Sequence, residues 1–95
     1  MDPHGALNHP VRRQILRTLI ASERPLSLSE LVATVAPGAS VSAVGYHARV
    51  LESSGAVGST RADGAVEDSY CATAPDRETI ALLESTREDD VRLGD

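Results

Sequence analysis

The 95-residue chain contains no phenylalanine or tryptophan, one cysteine and two tyrosines, and its nine basic residues are all arginine. Each shortage excludes something. A lone Cys71 cannot close an internal disulfide, which suits a reducing, cytoplasmic setting. The three histidines have no metal-ligand spacing, so a zinc site is not expected, and no cofactor motif is present. Without Phe or Trp, the core must be filled by Leu, Val, Ile and Ala, a pattern suited to closely packed helices. Apolar runs are far shorter than the ~20 residues needed to cross a bilayer, and no signal peptide opens the chain. The serines lack a paired base, so the chain is not read as an enzyme. The missing lysines read as coding bias.

Charge is present but unevenly placed. The net charge is −5, which alone argues against nucleic acid. Residues 1–62 nevertheless hold six arginines against four acids, a balance of +2, whereas residues 63–95 hold three against ten, a balance of −7. Partners respond to local fields more than to totals. A chain of this length is one domain and buries roughly 60–65% of its unfolded surface.

Periodicity places the elements. Met1–Leu7 has no helical pattern and reads as an arm or a short first turn. Asn8 is a plausible N-cap ahead of Pro10, and Val11, Ile15, Leu16, Leu19 and Ile20 form one apolar stripe. Leu26-Ser27 could form a very short strand. Ser27 with Glu30 matches a capping box for a second helix that buries Leu28, Leu31, Val32 and Val35. After a turn at Ala36-Pro37-Gly38, Ser40 or Ser42 opens a third helix, which Gly55 stops. Its apolar face carries Val44, His47, Ala48 and Leu51, and the opposite face Ser42, Gly45, Tyr46 and Arg49. Residues 57–61 and 65–71 are extended candidates around Ala62-Asp63-Gly64, a tight-turn signal. Pro75 opens a last helix with Asp76 and Glu78 near its positive end and Ile80, Leu82, Leu83 and Val91 as apolar residues. Fraying is expected from Thr86.

Helix, helix, turn, helix, hairpin, helix is the winged helix-turn-helix order. The expected class is mainly α with a small β-hairpin: a three-helix core, a two-stranded wing and a C-terminal helix. The expected division is an arm over 1–7, a DNA-binding domain over 8–73, and a helix with an acidic tail over 74–95. The stretches Leu7–Leu16, Leu28–Leu31 and Val41–Val57 resemble the ArsR-type family of small bacterial transcriptional regulators. That resemblance covers roughly residues 6–73. It implies a homodimer that sets two recognition helices in successive major grooves about 34 Å apart. It also implies a dimer contact through the first and last helices, here 10–21 and 76–85. Carried over by position, Ser40, Ser42, Ala43, Gly45, Tyr46 and Arg49 would face double-stranded DNA, with Arg61 near its backbone. A repressor role is the expected one.

This chain departs from the family in two places. Metal-sensing members carry paired cysteines where Ser27 and Ser29 stand here, and hydroxyls cannot replace soft thiolates. No histidine follows His47, so the other common metal site is not expected either. In the wing, Asp63, Glu67 and Asp68 replace the basic residues that usually meet phosphate, which should weaken binding and flatten its salt dependence. An acidic winged-helix module that binds protein rather than DNA is the alternative reading.

Individual residues have plain readings as well. His47 reads as a packed, hydrogen-bonded core histidine, and His9 as a capping or first-turn residue. Cys71, without a basic neighbour, does not read as a redox sensor. Arg12, Arg13 and Arg17 form either a phosphate patch or a solvated helix face. Arg49 reads as a DNA contact in preference to a salt bridge with Glu52 or the tail.

Overall fold

The computed structural model describes residues 3–35 and 39–93, so the turn read at 36–38 lies outside the described residues. The element order is α1 (Pro3–Ala6), α2 (Pro10–Ala21), β1 (Leu26–Ser27), α3 (Leu28–Val35), α4 (Val41–Ser54), β2 (Val57–Thr60), β3 (Ser69–Ala72) and α5 (Arg77–Leu93). This is the mainly helical winged helix-turn-helix expected. Its sheet has three antiparallel strands in the order β1-β3-β2, because Leu26 and Ser27 pair with Tyr70 and Ser69.

Side-chain caps set the helix ends. The cap of α2 is His9 rather than Asn8: its Nδ1 accepts from the Val11 amide at 3.2 Å. Pro10 explains the shift, since the residue before a proline is driven into an extended conformation, here φ −139°, which is what a cap requires. The capping box of α3 forms as read. Glu30 N–H donates to Ser27 Oγ at 3.2 Å, and Ser27 N–H donates back to Glu30 Oε1 at 3.1 Å. Arg24 also binds this carboxylate and, followed by the Ser27 amide, holds it down to about 2. Ser40 Oγ caps α4 by accepting from Ala43 N–H at 3.0 Å. Gly55 ends it at φ 87°, a left-handed position that few other residues tolerate.

Between these elements lies an aliphatic core in which Leu7, Ile15, Leu16, Leu31, Val44 and Leu51 are fully buried. Each such side chain contributes on the order of 2 kcal/mol through apolar burial. One expected boundary changes. In the first stretch, read as an arm or a short first turn, Pro3–Ala6 forms the one-turn helix α1, and Ala6 and Leu7 are fully buried members of that core. The last helix does not fray at Thr86 but continues to Leu93.

Asp90 accounts for the longer helix. Its carboxylate is buried and accepts from Arg13 Nε and Nη2, both at 2.8 Å, and from Arg17 Nη1 at 2.7 Å. Arg13 also donates to the Leu7 carbonyl at 2.9 Å, so one guanidinium ties the N-terminal turn to the C-terminal helix. Arg17 donates to the Leu83 carbonyl at 2.6 Å and to Thr86 Oγ1 at 2.7 Å. Charge-assisted, forked contacts of this kind hold geometry well. Arg13 and Arg17 are thus neither a phosphate patch nor a solvated face. They clamp α5 onto α2.

Candidate nucleic-acid interface

Helix α4 is pinned from below and left bare above. Val44, Gly45, Ala48, Val50, Leu51 and Ser54 are buried, while Val41, Ser42, Ala43, Tyr46, Arg49, Glu52 and Ser53 are exposed. Tyr46 is 57% exposed and Val41 56%, although both are large and apolar. A helix face with short polar groups, two apolar bodies and one cation suits a major groove, whose bases offer acceptors, donors and the thymine methyl. Val41 escaped the sequence reading because it sits where the apolar stripe begins. Only its lack of a neighbour distinguishes it from a core valine.

The sequence-predicted site residues separate. Ser40, Ser42, Ala43, Tyr46 and Arg49 lie together on or beside the exposed face, with Ser40 Oγ already engaged as the cap. Gly45 does not join them. It is buried, and a Cβ there would meet Leu28 Cδ2 and Arg49 Nη1 at 3.5 Å each. The helical wheel misplaced it because α3 passes over that side of α4, which periodicity within one helix cannot show. The Arg49 guanidinium lies back along the helix over this glycine. Its expected competitor, Glu52, is instead the acceptor of the Ser59 hydroxyl. No ion pair to Arg49 is found among the described residues.

The wing differs from expectation in extent and in charge. Its ladder stops at Thr60↔Ser69, so the strands are 57–60 and 69–72, not 57–61 and 65–71. The Asp63-Gly64 turn does form, with Gly64 at φ 82° and Ala65 N–H donating to the Ala62 carbonyl at 3.0 Å. Beyond the ladder two acids make side-chain contacts. Glu67 accepts from Ser29 Oγ at 3.1 Å at the start of α3, and Asp68 accepts from Arg61 Nε at 2.9 Å. The wing acids are therefore partly spent on internal contacts, and Arg61, though exposed, already has a carboxylate partner. Val66 stands at the wing tip 93% exposed.

His47 is half-buried rather than fully packed, and among the described residues its buried Nδ1 has no hydrogen-bond partner, contrary to the hydrogen-bonded histidine expected. Its ring lies 4.3 Å from that of His9 and 5.4 Å from that of Tyr46, the latter edge-on. Burial, then the neighbouring His9 and Arg12, push its pKa down. Burial, then Arg12 and Arg13, do the same for His9. Among the described residues no group of three or more His, Cys, Asp or Glu side chains could hold a metal, and no helix is long and apolar enough to cross a membrane.

This architecture matches known proteins. The helix-turn-helix domain family matches residues 7–58, more than half of the chain and all of the segment from the buried Leu7 into β2. The chain belongs to the ArsR-type helix-turn-helix regulators. It is similar to the crystal structure of M. tuberculosis Rv0081, at 29% identity and a TM-score of 0.66, covering 96% of this chain and 84% of that one. It is also similar to the crystal structure of a possible transcriptional regulator for arsenical resistance, at 28% identity and TM-score 0.63, covering 94% and 83%. No curated protein matches it in sequence.

Proposed function

We propose that the protein is a dimeric, sequence-specific DNA-binding repressor that does not sense metal. The observation that carries this is the bare face of α4, where Ser42, Ala43, Tyr46 and Arg49 are exposed and Arg49 has no acidic partner among the described residues. The N-terminal part of a recognition helix meets base edges, and an arginine with a free fork is the side chain most suited to guanine. Ser40, at the cap, and Arg61, at the wing, are read as backbone contacts. Gly45 is read as the packing position that seats α4.

Dimerisation is supported by a cleft of about 320 Å³ between α2 and α5, lined by Ile20, Ile80 and Leu83 among others. Ile20 is 41% exposed and Ile80 43%, so an apolar strip faces outward where the family resemblance places a second copy. Non-metal sensing is supported by Ser27 and Ser29. The first hydroxyl caps α3 and the second binds Glu67, in place of the thiolates that a soft-metal site would need. Repression requires only that the dimer occupy its operator.

The alternative, a protein-binding acidic module, rests on the pI near 5, the acidic wing and the −7 balance of residues 63–95. Two of the wing's three acids are held by Ser29 and Arg61, which weakens only the wing's part in it. Genome-wide footprinting with the purified protein, followed by Arg49→Ala on the recovered sites, tests the DNA reading. Arg49→Ala should cost about 1–3 kcal/mol of specific binding, and Arg61→Ala less. Footprints that do not change in either variant would overturn it.

A further inference from the structure

Residues four apart line up along a helix, and the outer side of α4 holds two such rows. One runs from Ser42 through Tyr46 to Ser53, three exposed hydroxyls. A hydroxyl donates and accepts, so this row fits phosphates or any base and discriminates little. The other row is Val41, Gly45 and Arg49: an exposed valine, a glycine without a side chain and the only guanidinium of the helix.

Arg49 folds back along its row. A Cβ built on Gly45 would lie 3.5 Å from Arg49 Nη1, so the guanidinium sits over the glycine, one turn before its own Cα. That leaves it about 6 Å along the axis from Val41, within two base pairs at roughly 3.4 Å each. Arg49 has no ion pair among the described residues. Val41 is 56% exposed and, among the described residues, lies outside the aliphatic core. An apolar body and an unpaired fork thus stand side by side.

The rest of the helix narrows what this row reads. α4 has no Asn, Gln or Lys, so none of its side chains forks onto adenine. Its one acid, Glu52, takes the Ser59 hydroxyl and is not free to accept from a cytosine amine. A fork for guanine and an apolar surface for a base methyl remain.

We propose that Val41 covers the C5-methyl of a pyrimidine while Arg49 forks onto a guanine one or two base pairs away. The proposal rests on the DNA-binding reading and names the bases that the α4 face takes. Thymine carries this methyl, and 5-methylcytosine offers the same group.

The test uses fluorescence anisotropy at low salt on operator duplexes recovered by footprinting, with circular dichroism to confirm that each variant is folded. Guanines are replaced one at a time by 7-deazaguanine, which lacks the N7 acceptor, and thymines by deoxyuridine, which lacks only the methyl. One guanine replacement should weaken wild type by roughly fivefold or more and leave Arg49→Ala indifferent. A deoxyuridine one or two base pairs from that guanine should weaken wild type about fourfold, the effect of one methyl. Val41→Ala should bind the thymine and deoxyuridine duplexes nearly alike, and Val41→Ile should keep the preference. Cytosine at that position should weaken wild type, and 5-methylcytosine should regain affinity. Full regain to the thymine level means that both sources serve; partial regain assigns the contact to thymine. The pairing is wrong, and the DNA reading survives, if no guanine replacement matters or deoxyuridine is tolerated throughout. The same holds if Val41→Ala keeps the full penalty or 5-methylcytosine gains nothing over cytosine. If footprinting recovers no site, both fall.

Discussion

Gly45 lies against Leu28 and the Arg49 guanidinium, with 3.5 Å of clearance for a Cβ, an ordinary van der Waals distance. Its backbone is helical, so an alanine there gains helix propensity at no steric cost. Gly45→Ala should therefore stabilise the fold by roughly 0.5–1 kcal/mol, seen as a rise in Tm, while DNA binding is retained. Loss of DNA binding in a well-folded Gly45→Ala protein would mean that the glycine faces the groove after all. Asp68 makes the opposite kind of prediction. It occupies Arg61 at 2.9 Å, and both side chains are well exposed, so the pair itself contributes little stability. Asp68→Asn should leave stability within about 0.5 kcal/mol of wild type, yet tighten binding to any duplex at low salt by freeing a cation at the wing. Reading Arg61 as a phosphate contact requires that gain; unchanged affinity in Asp68→Asn would count against it.

Among the elements, α5 depends most on a single group. Asp90 accepts three charge-assisted hydrogen bonds from Arg13 and Arg17, and these two arginines, Arg13 first, hold its carboxyl down to about 2. Removing it leaves two half-buried guanidinium groups unpaired. Asp90→Ala should cost about 3 kcal/mol and lower Tm by more than roughly 10 °C, with the exchange of α5 amides accelerated before that of α4. The sign of the pH effect follows from the depressed pKa. The carboxylate's contribution is complete above its ordinary value near 4 and disappears as the pH falls from about 4 to about 2. Acid unfolding monitored by circular dichroism should show that window in wild type and not in Asp90→Ala. His9 and His47 add a milder loss at higher pH. Both pKa values are lowered by folding, so the unfolded chain binds more protons as the pH drops below about 6.5.

For the whole molecule, the central prediction concerns assembly. The outward-facing Ile20 and Ile80 flank the α2–α5 cleft, so Ile80→Glu should place a charge in an apolar contact between two copies. Light scattering after gel filtration should give twice the 10.0 kDa chain mass for wild type and a single chain mass for the variant. The variant should also lose specific operator binding, because one recognition helix alone reads half a site. A wild-type chain that runs as a monomer while binding its operator tightly would refute the dimer. The net charge of −5 belongs to residues 63–95, which balance at −7, whereas residues 1–62, which contain α4, balance at +2.

The features legible in the sequence are those whose cause is local. The Ser27–Glu30 box, the Gly55 stop and the Val44–Ala48–Leu51 stripe each act within one or two helical turns, so residue spacing alone was enough to find them, while the α4 cap stayed open between Ser40 and Ser42 until the Ala43 amide settled it. The winged helix-turn-helix order followed from those pieces. Tertiary structure decided the rest, because the partners come from distant parts of the chain. Asp90 meets Arg13 across 77 residues and Arg17 across 73, Glu67 meets Ser29 across 38, and no periodicity records such pairs. Those pairings turned a fraying tail into a clamped helix and drew Glu67 from the wing to the start of α3. They also left Arg12, alone among the three arginines of α2, without an ion-pair partner among the described residues. Short-range hydrogen bonds and burial determined where α4 lies. Long-range charge pairing decided which cations remain free around it.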